Sequence, residues 1–272
     1  MKNDFSVLMS VYYKEKVENL ILAIDSIINQ TLKPKEFIIV LDGKLGEDLD
    51  NCLSNYEKKY DYIKLIRLEK NLGLGKALNE GMKYCNYEYI ARMDSDDISL
   101  PSRFENQMDY LIEHQDIDVL GGNIMEFDSL TNEDISLRKV PYTDEDIKKF
   151  AKKRNPMNHV TVIFKKESVI ECGGYLDCPY FEDYYLWIRM MKNNKKFMNL
   201  DQTLVRVRAG LSMSSRRGNI KYIKCIKKFE KEMYKMKIIP FYLYIENVLI
   251  RSVISIIPNK TRYKFYQKKL RK

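Results

Sequence analysis

The stretch "YIARMDSDDISLPSRF" (residues 89–104) sets three carboxylates, Asp94, Asp96 and Asp97, between an apolar run and a proline. A carboxylate that leaves water needs solvent, a cationic side chain or a metal ion beside it. The D-x-D pair Asp94/Asp96 can direct two carboxylates at one hard divalent ion, Mn2+ or Mg2+, whose shell is commonly completed by substrate phosphates and water. The same residues can also serve as a helix N-cap cluster before "LPSRF". An EF-hand is excluded, because the glycine and the distal Glu of such a loop are missing.

Two further stretches carry chemistry. "NLGLGKALNEG" (71–81) offers Asn71, Gly73, Gly75 and Lys76 where a strand would turn into a helix. Glycines let backbone approach a ligand, and a helix N-terminus favours phosphate. It matches neither a dinucleotide fingerprint nor a P-loop, and an ordinary helix start explains it equally well. "YFEDYYLW" (180–187) places Glu182 and Asp183 side by side among aromatics, with Trp187, the only tryptophan, one helical turn on. A carboxylate shielded by aromatics is raised toward working pH and suits a general base. The alternative is a helix N-cap with Trp187 in the core.

The elements that must hold these residues can be read from periodicity. "DFSVLMSVYY" (4–13), "EFIIVLDG" (36–43), "IKLIRLEKN" (63–71) and "YEYIARMD" (87–94) read as strands, and 17–32, 47–60 and 74–85 as helices. This alternation predicts a mostly parallel sheet flanked by helices, with ligands outside the carboxyl ends of its strands. Asp42 and Asp94 both fall at such ends. Further on, the spacing predicts a helix to about His114, a strand over 118–127, a polar loop over 129–158 with a helix near 144–153, and a strand at "HVTVIF" (159–164). A short helix over 166–175, a helix over 180–194, and a hairpin or paired strands over 195–210 complete the reading.

At 272 residues with 45% hydrophobic and 31% charged residues the chain is globular, with ample core. Five scattered cysteines without a C-x-x-C pair, and two histidines, argue against structural zinc or a disulfide framework and for a reducing compartment. No secretory signal is evident, so a cytoplasmic location is expected. Charge is unevenly spread: from Arg189 onward there are 23 Lys/Arg and 4 Asp/Glu, against 24 and 34 before it, so a body of −10 carries a tail of +19. Within that tail "FYLYIENVLIRSVISIIP" (241–258) is apolar over most of its circumference, yet short and charged for a membrane span. Flanked by basic segments, it reads as an interfacial amphipathic helix on an anionic membrane, or else as a helix packed back on the body.

The ordered set "SVLMSVYY", "IIVLDG", "NLGLGKALNEG", "ARMDSDDISLPSRF", "HVTVIF", "CGGY" and "FEDYYLW" resembles the family 2 glycosyltransferases, over residues 5–210. The resemblance implies an inverting, metal-dependent enzyme of GT-A fold, in which 1–210 is the nucleotide-sugar-binding and catalytic domain and 211–272 a basic, amphipathic helical region. It implies that Ser10, Val11 and Tyr12 line the nucleotide pocket and that Asp42 accepts from the uracil N3–H. Asn71, Gly73 and Lys76 would join them on the donor side. Leu41 and Lys44 depart from the usual "VDDGS". Asp94 would hold the ribose, or both the ribose and the metal, with Ser95 beside it; Asp96 would hold the metal, and His159 would lie near the diphosphate. Asp183, rather than Glu182, would deprotonate the acceptor hydroxyl.

The expected partners are a nucleotide sugar, with UDP as its carrier, and a glycan or lipid-linked acceptor used in surface polysaccharide synthesis. The expected location is peripheral, at the inner face of the cell membrane, without nucleic acid. Two other classes compete. A sugar-phosphate nucleotidyltransferase shares the α/β nucleotide fold, but "SVYYKEKVENL" lacks that class's glycine-rich loop. A basic nucleic-acid-binding protein accounts for the Lys/Arg and Tyr of 216–272, yet leaves Asp42, Asp94, Asp96 and Asp183 without a purpose.

Overall fold

Successive residues of a strand face opposite sides of its sheet, so an unbroken apolar run needs cover on both. In the computed structural model, which describes residues 4–209, 219–259 and 261–262, the first run is β1 (Phe5–Val11). Its Phe5, Val7, Met9 and Val11 enter one core and Leu8 the other. β2 (Glu36–Leu41), β3 (Ile63–Arg67) and β4 (Tyr89–Asp94) join it as a parallel block in the order β3-β2-β1-β4. The crossovers are α1 (Val17–Ile28), α2 (Glu47–Lys59) and α3 (Leu74–Met82). Leu20, Ile24 and Ile27 of α1 pack on the β1 face that carries Phe5, while Ala77 and Leu78 of α3 pack on the opposite face.

A second half follows: β5 (Ile98–Ser99), α4 (Arg103–Glu113), β6 (Val119–Asp128), β7 (Asp134–Arg138), α5 (Asp144–Phe150), β8 (Ile163–Lys165), α6 (Lys166–Glu171), α7 (Glu182–Lys192) and β9 (Phe197–Ala209). The sheet continues from β4 through β8, β6 and β9 to β5, with β7 on the side of β6. β8 is antiparallel to both β4 and β6, whereas β6 and β9 run parallel over ten residue pairs.

Three sequence expectations are corrected. "HVTVIF" is not one strand: His159–Thr161 is a 3-10 turn, and only Ile163–Lys165 pairs in the sheet. The run is apolar because Val160 and Ile163 serve one core and Val162 and Phe164 the other, and short buried runs do not reveal their period. Residues 195–210 form no hairpin. They are the single strand β9, in which Asp201 and Gln202 are absorbed between the pairs Gly122↔Leu200 and Asn123↔Thr203. The 129–158 stretch is not only loop and helix, since it contains β7, an exposed and polar strand held by β6.

At the end of β2 the chain turns through Gly43 at φ +86°, and a Cβ there would lie 2.5 Å from the Asn71 backbone nitrogen. Only glycine fits, because both the left-handed backbone and the close approach exclude a side chain. Gly43→Ala is expected to lower stability by about 1–3 kcal/mol, the usual range for backbone strain. Urea unfolding checks this, and an unchanged midpoint would show that the two loops do not meet so closely.

The C-terminal part packs back on the body. α8 (Ile220–Lys235) and α9 (Phe241–Ile256) extend the α7 core, with the Phe229 ring stacked on Phe181 at 4.7 Å. Glu230, fully buried on α8, accepts from Asn247 at 2.9 Å and pairs with Arg251 at 3.0 Å, which fixes α9 against α8. The expected boundary at 210/211, and the basic segment after 260 except Thr261 and Arg262, lie outside the described residues.

Candidate active site

Parallel register brings the strand ends into line. Ser10 pairs with Val40 on one side and Asp94 on the other, so the carboxyl ends of β1, β2 and β4 share one rim. The Asp42 amide donates to the Val11 carbonyl at 2.8 Å. The Asp42 carboxylate accepts from the amides of Leu72 at 2.7 Å and Gly73 at 3.0 Å, and Asn71 Nδ2 donates to the Asp42 carbonyl. Asp42, Asn71 and Gly73 are thus one unit; each carboxylate oxygen keeps a second lone pair for a ligand. Tyr12 is half-buried at the end of β1, while Lys76 is exposed on the outside of α3.

Ligand atoms of Asp94, Asp96 and Asp97 all lie within 4.8 Å of one another. Burial raises the Asp96 carboxyl to about 7, with Asp94 and Glu15 adding to the effect. Burial, then Asp96 and Asp94, holds Asp97 well above the ordinary range, although Asp97 accepts from the Arg208 amide at 2.8 Å. Three carboxylates set so close together, two of them raised by burial and by their acidic neighbours, fit a hard divalent cation, which would offset the repulsion.

Arg92 is the cationic partner within the set. Its buried guanidinium faces inward from β4 and grips both oxygens of Asp94. Ser95 Oγ donates to Glu15 at 2.6 Å, tying the loop before α1 to the carboxylate loop. Sequence reasoning missed Arg92, Glu15 and the third carboxylate, Asp97, as members of the site. The spacing of Arg92 and Asp94 on one face of a strand was the available signal for the first; Glu15 had none.

Next to this rim opens a cavity of about 480 Å³, with Asp94, Asp97, His159 and Asp183 in its wall. Asp183 lies in the first turn of α7 and accepts from Asn155 Nδ2 at 2.7 Å. Burial raises its carboxyl above the usual aspartate range, and the Asn155 and Tyr184 donors offset part of that. Glu182 turns away to α3, where Gly75 leaves room for its Cβ and Cγ. His159 shares a 2.8 Å hydrogen bond with the Tyr175 hydroxyl and stands edge-on to Trp187. Burial, then Arg92, pushes its imidazole well below its usual pKa, so it is neutral. Cations from three other segments, among them Arg154 and Arg251, complete the wall.

An acidic rim whose three carboxylates could hold a cation, beside a cavity that contains the raised Asp183, has the chemistry to hold a metal-bridged anion and take a proton from a hydroxyl. Comparison with known proteins points to one family. Residues 6–173 match the model of Glycosyl transferase family 2. The amylovoran biosynthesis glycosyltransferase AmsE of Erwinia amylovora is 39% identical over 271 residues, covering 97% of this chain and 98% of AmsE. The UDP-Gal:alpha-D-GlcNAc-diphosphoundecaprenol beta-1,3-galactosyltransferase of Escherichia coli is 35% identical over 268 residues, covering 98% of this chain and 97% of that one. Among solved structures, the mannosyltransferase PcManGT of Pyrobaculum calidifontis, in complex with GDP-Man and Mn2+, superposes with a TM-score of 0.65 at 11% identity, covering 97% of this chain and 75% of that one.

Proposed function

The chain belongs to glycosyltransferase family 2, and from that premise we propose that it moves a sugar from a UDP-sugar to a hydroxyl of a lipid-linked glycan, with inversion, in surface polysaccharide synthesis. The observation that carries this reading is the raised, cavity-facing Asp183 beside the Asp94/Asp96/Asp97 rim. The names of the two relatives, one a polysaccharide enzyme and one a UDP-galactose transferase acting on a diphosphate-linked lipid, support the donor and acceptor classes.

Asp94, Asp96 and Asp97 would hold Mn2+ or Mg2+, which when bound neutralises charge that develops on the departing diphosphate. Asp94 is held in place by Arg92, and Asp42 with Asn71 and Gly73 shapes the rim on which the nucleoside lies. Ser10, Val11 and Tyr12 floor that rim, Ser95 braces it through Glu15, and Lys76 stands at its outer edge. Neutral His159 can donate a hydrogen bond toward the diphosphate without adding charge. Asp183 takes the proton of the acceptor hydroxyl. The hydroxyl oxygen then bonds to the anomeric carbon from the face opposite the diphosphate, whose bond to that carbon breaks with the electron pair leaving on oxygen. One carboxylate base suffices, and no covalent sugar–protein species is needed. Incubating the protein and Mn2+ with UDP-, GDP- and dTDP-sugars tests the reading: hydrolysis confined to UDP-sugars is expected. Turnover of a sugar 1-phosphate with UTP instead would make it a nucleotidyltransferase.

Residues 1–210 are the catalytic part of this proposal and 211–272 its membrane-facing part. Among the described residues no helix is long and apolar enough to cross a membrane. α9, however, exposes Tyr242, Leu249, Val253 and Ile256 along one side, each at least 60% accessible, and the tail around it is basic. That combination suits the anionic, cytoplasmic face of a bilayer rather than nucleic acid. The protein is expected to sediment with vesicles containing anionic lipid and to be released by high salt. Leu249→Glu with Val253→Glu should weaken binding about 100-fold, since two apolar side chains lose their burial. Equal indifference of both proteins to anionic and neutral vesicles would sink the idea.

A further inference from the structure

The cavity has a cationic side that the transfer step leaves unassigned. Arg138 of β7, Lys153 and Arg154 after α5, and Arg251 of α9 all line it. Hydrogen bonds draw these segments together: Arg251 Nη2 donates to the Lys153 carbonyl at 2.9 Å, and Arg138 Nη2 to the Asn155 carbonyl at 3.2 Å. Asn155 in turn donates to Asp183. Arg138 therefore lies one hydrogen-bonded residue from the carboxylate that takes the acceptor proton, Lys153, Arg154 and Arg251 line the same cavity, and all four come from different segments than the carboxylates of the metal rim.

The same side of the cavity meets the apolar surface of α9. Ile250 and Ile254 line the cavity, Ile250 is half exposed, and the exposed Leu249 and Val253 are their neighbours in sequence on the same helix. A molecule matched to this sequence of surfaces has a sugar hydroxyl at Asp183, an anion next to that sugar, and hydrocarbon beyond the anion. Guanidinium groups favour phosphate oxygens, with charge-assisted hydrogen bonds stronger than neutral ones.

Resting on the transferase reading above, we infer that Arg138, Lys153, Arg154 and Arg251 form a subsite for the phosphate groups that join the acceptor sugar to its lipid. The subsite selects acceptors by the charge of the linkage as well as by the sugar. Lys153 and Arg154 carry the more accessible part of it: Lys153 is exposed, with its ammonium 3.0 Å from Glu246, and Arg154 is half-buried beside it. Arg251 also anchors α9 to Glu230 and is the less suitable position to change.

The test is direct binding, independent of turnover, of two soluble probes carrying the same sugar: an octyl glycosyl diphosphate and the neutral octyl glycoside. Titration calorimetry on the full chain is expected to show the diphosphate bound at least about tenfold more tightly, the scale of one or two charge-assisted hydrogen bonds. Lys153→Gln with Arg154→Gln should reduce that preference to less than about threefold, and the charge-preserving Lys153→Arg with Arg154→Lys should keep most of it. Saturating UDP with Mn2+ should leave the preference in place. Equal binding of both probes, a preference that survives in the Gln variant, or its abolition by UDP, which would assign these cations to the donor diphosphate, overturns the inference. Failure of the transferase reading shows separately, as an intact preference without sugar transfer to any acceptor.

Discussion

Asp183→Asn is expected to slow sugar transfer by about 10³-fold or more while UDP binding stays intact, the upper part of the range for loss of a positioned general base. The substitution keeps size and can still meet Asn155, so helix α7 should be undisturbed. Glu182→Gln is expected to cost far less, because Glu182 faces α3 and not the cavity. The pH dependence follows in sign. Burial places the Asp183 pKa above the ordinary carboxylate range, so kcat/KM falls as pH drops through that raised value and the base takes up a proton. Asn155→Ala removes a donor that holds this pKa down, so its acid limb should move to higher pH. If Glu182→Gln were the dead variant and Asp183→Asn the active one, the assignment of the base would be wrong.

Asp96→Asn is expected to produce the second large loss, about 10²- to 10³-fold in Mn2+-dependent UDP affinity, on the scale of several kcal/mol that a bridging ion contributes. Wild-type protein should gain thermal stability from UDP and Mn2+ together, and chelation should abolish that gain. In Asp96→Asn the gain should be absent from the start. Asp96 is suited to this role because Asp94 is already gripped by Arg92 and Asp97 already accepts from the Arg208 amide, leaving Asp96 as the carboxylate least engaged with the protein. A full Mn2+-dependent shift in the variant would reduce Asp96 to a residue that shapes the loop.

The alternation of apolar runs and helical periods foretold the four-strand parallel block, because each of those elements carries its own period. It likewise placed Asp42 and Asp94 at strand ends, since a strand's end is marked locally by turn residues. Where one run served two cores, as at Val160–Phe164, or where a bulge took up polar residues, as at Asp201 and Gln202, period alone misled.

By itself the sequence determined the order of the elements, the acidic loop after β4 and the Glu182/Asp183 pair, all of which are written in residues close in the chain. Tertiary structure alone decided that Asp183 and not Glu182 faces the cavity, that Arg92 and Glu15 brace the carboxylates, and that α9 closes the cavity with one side while baring the other. These outcomes depend on contacts between segments distant in sequence, such as Asn155 with Asp183 and Asn247 with Glu230. No local pattern encodes such a contact, because burial and partner choice are settled only when the two segments pack.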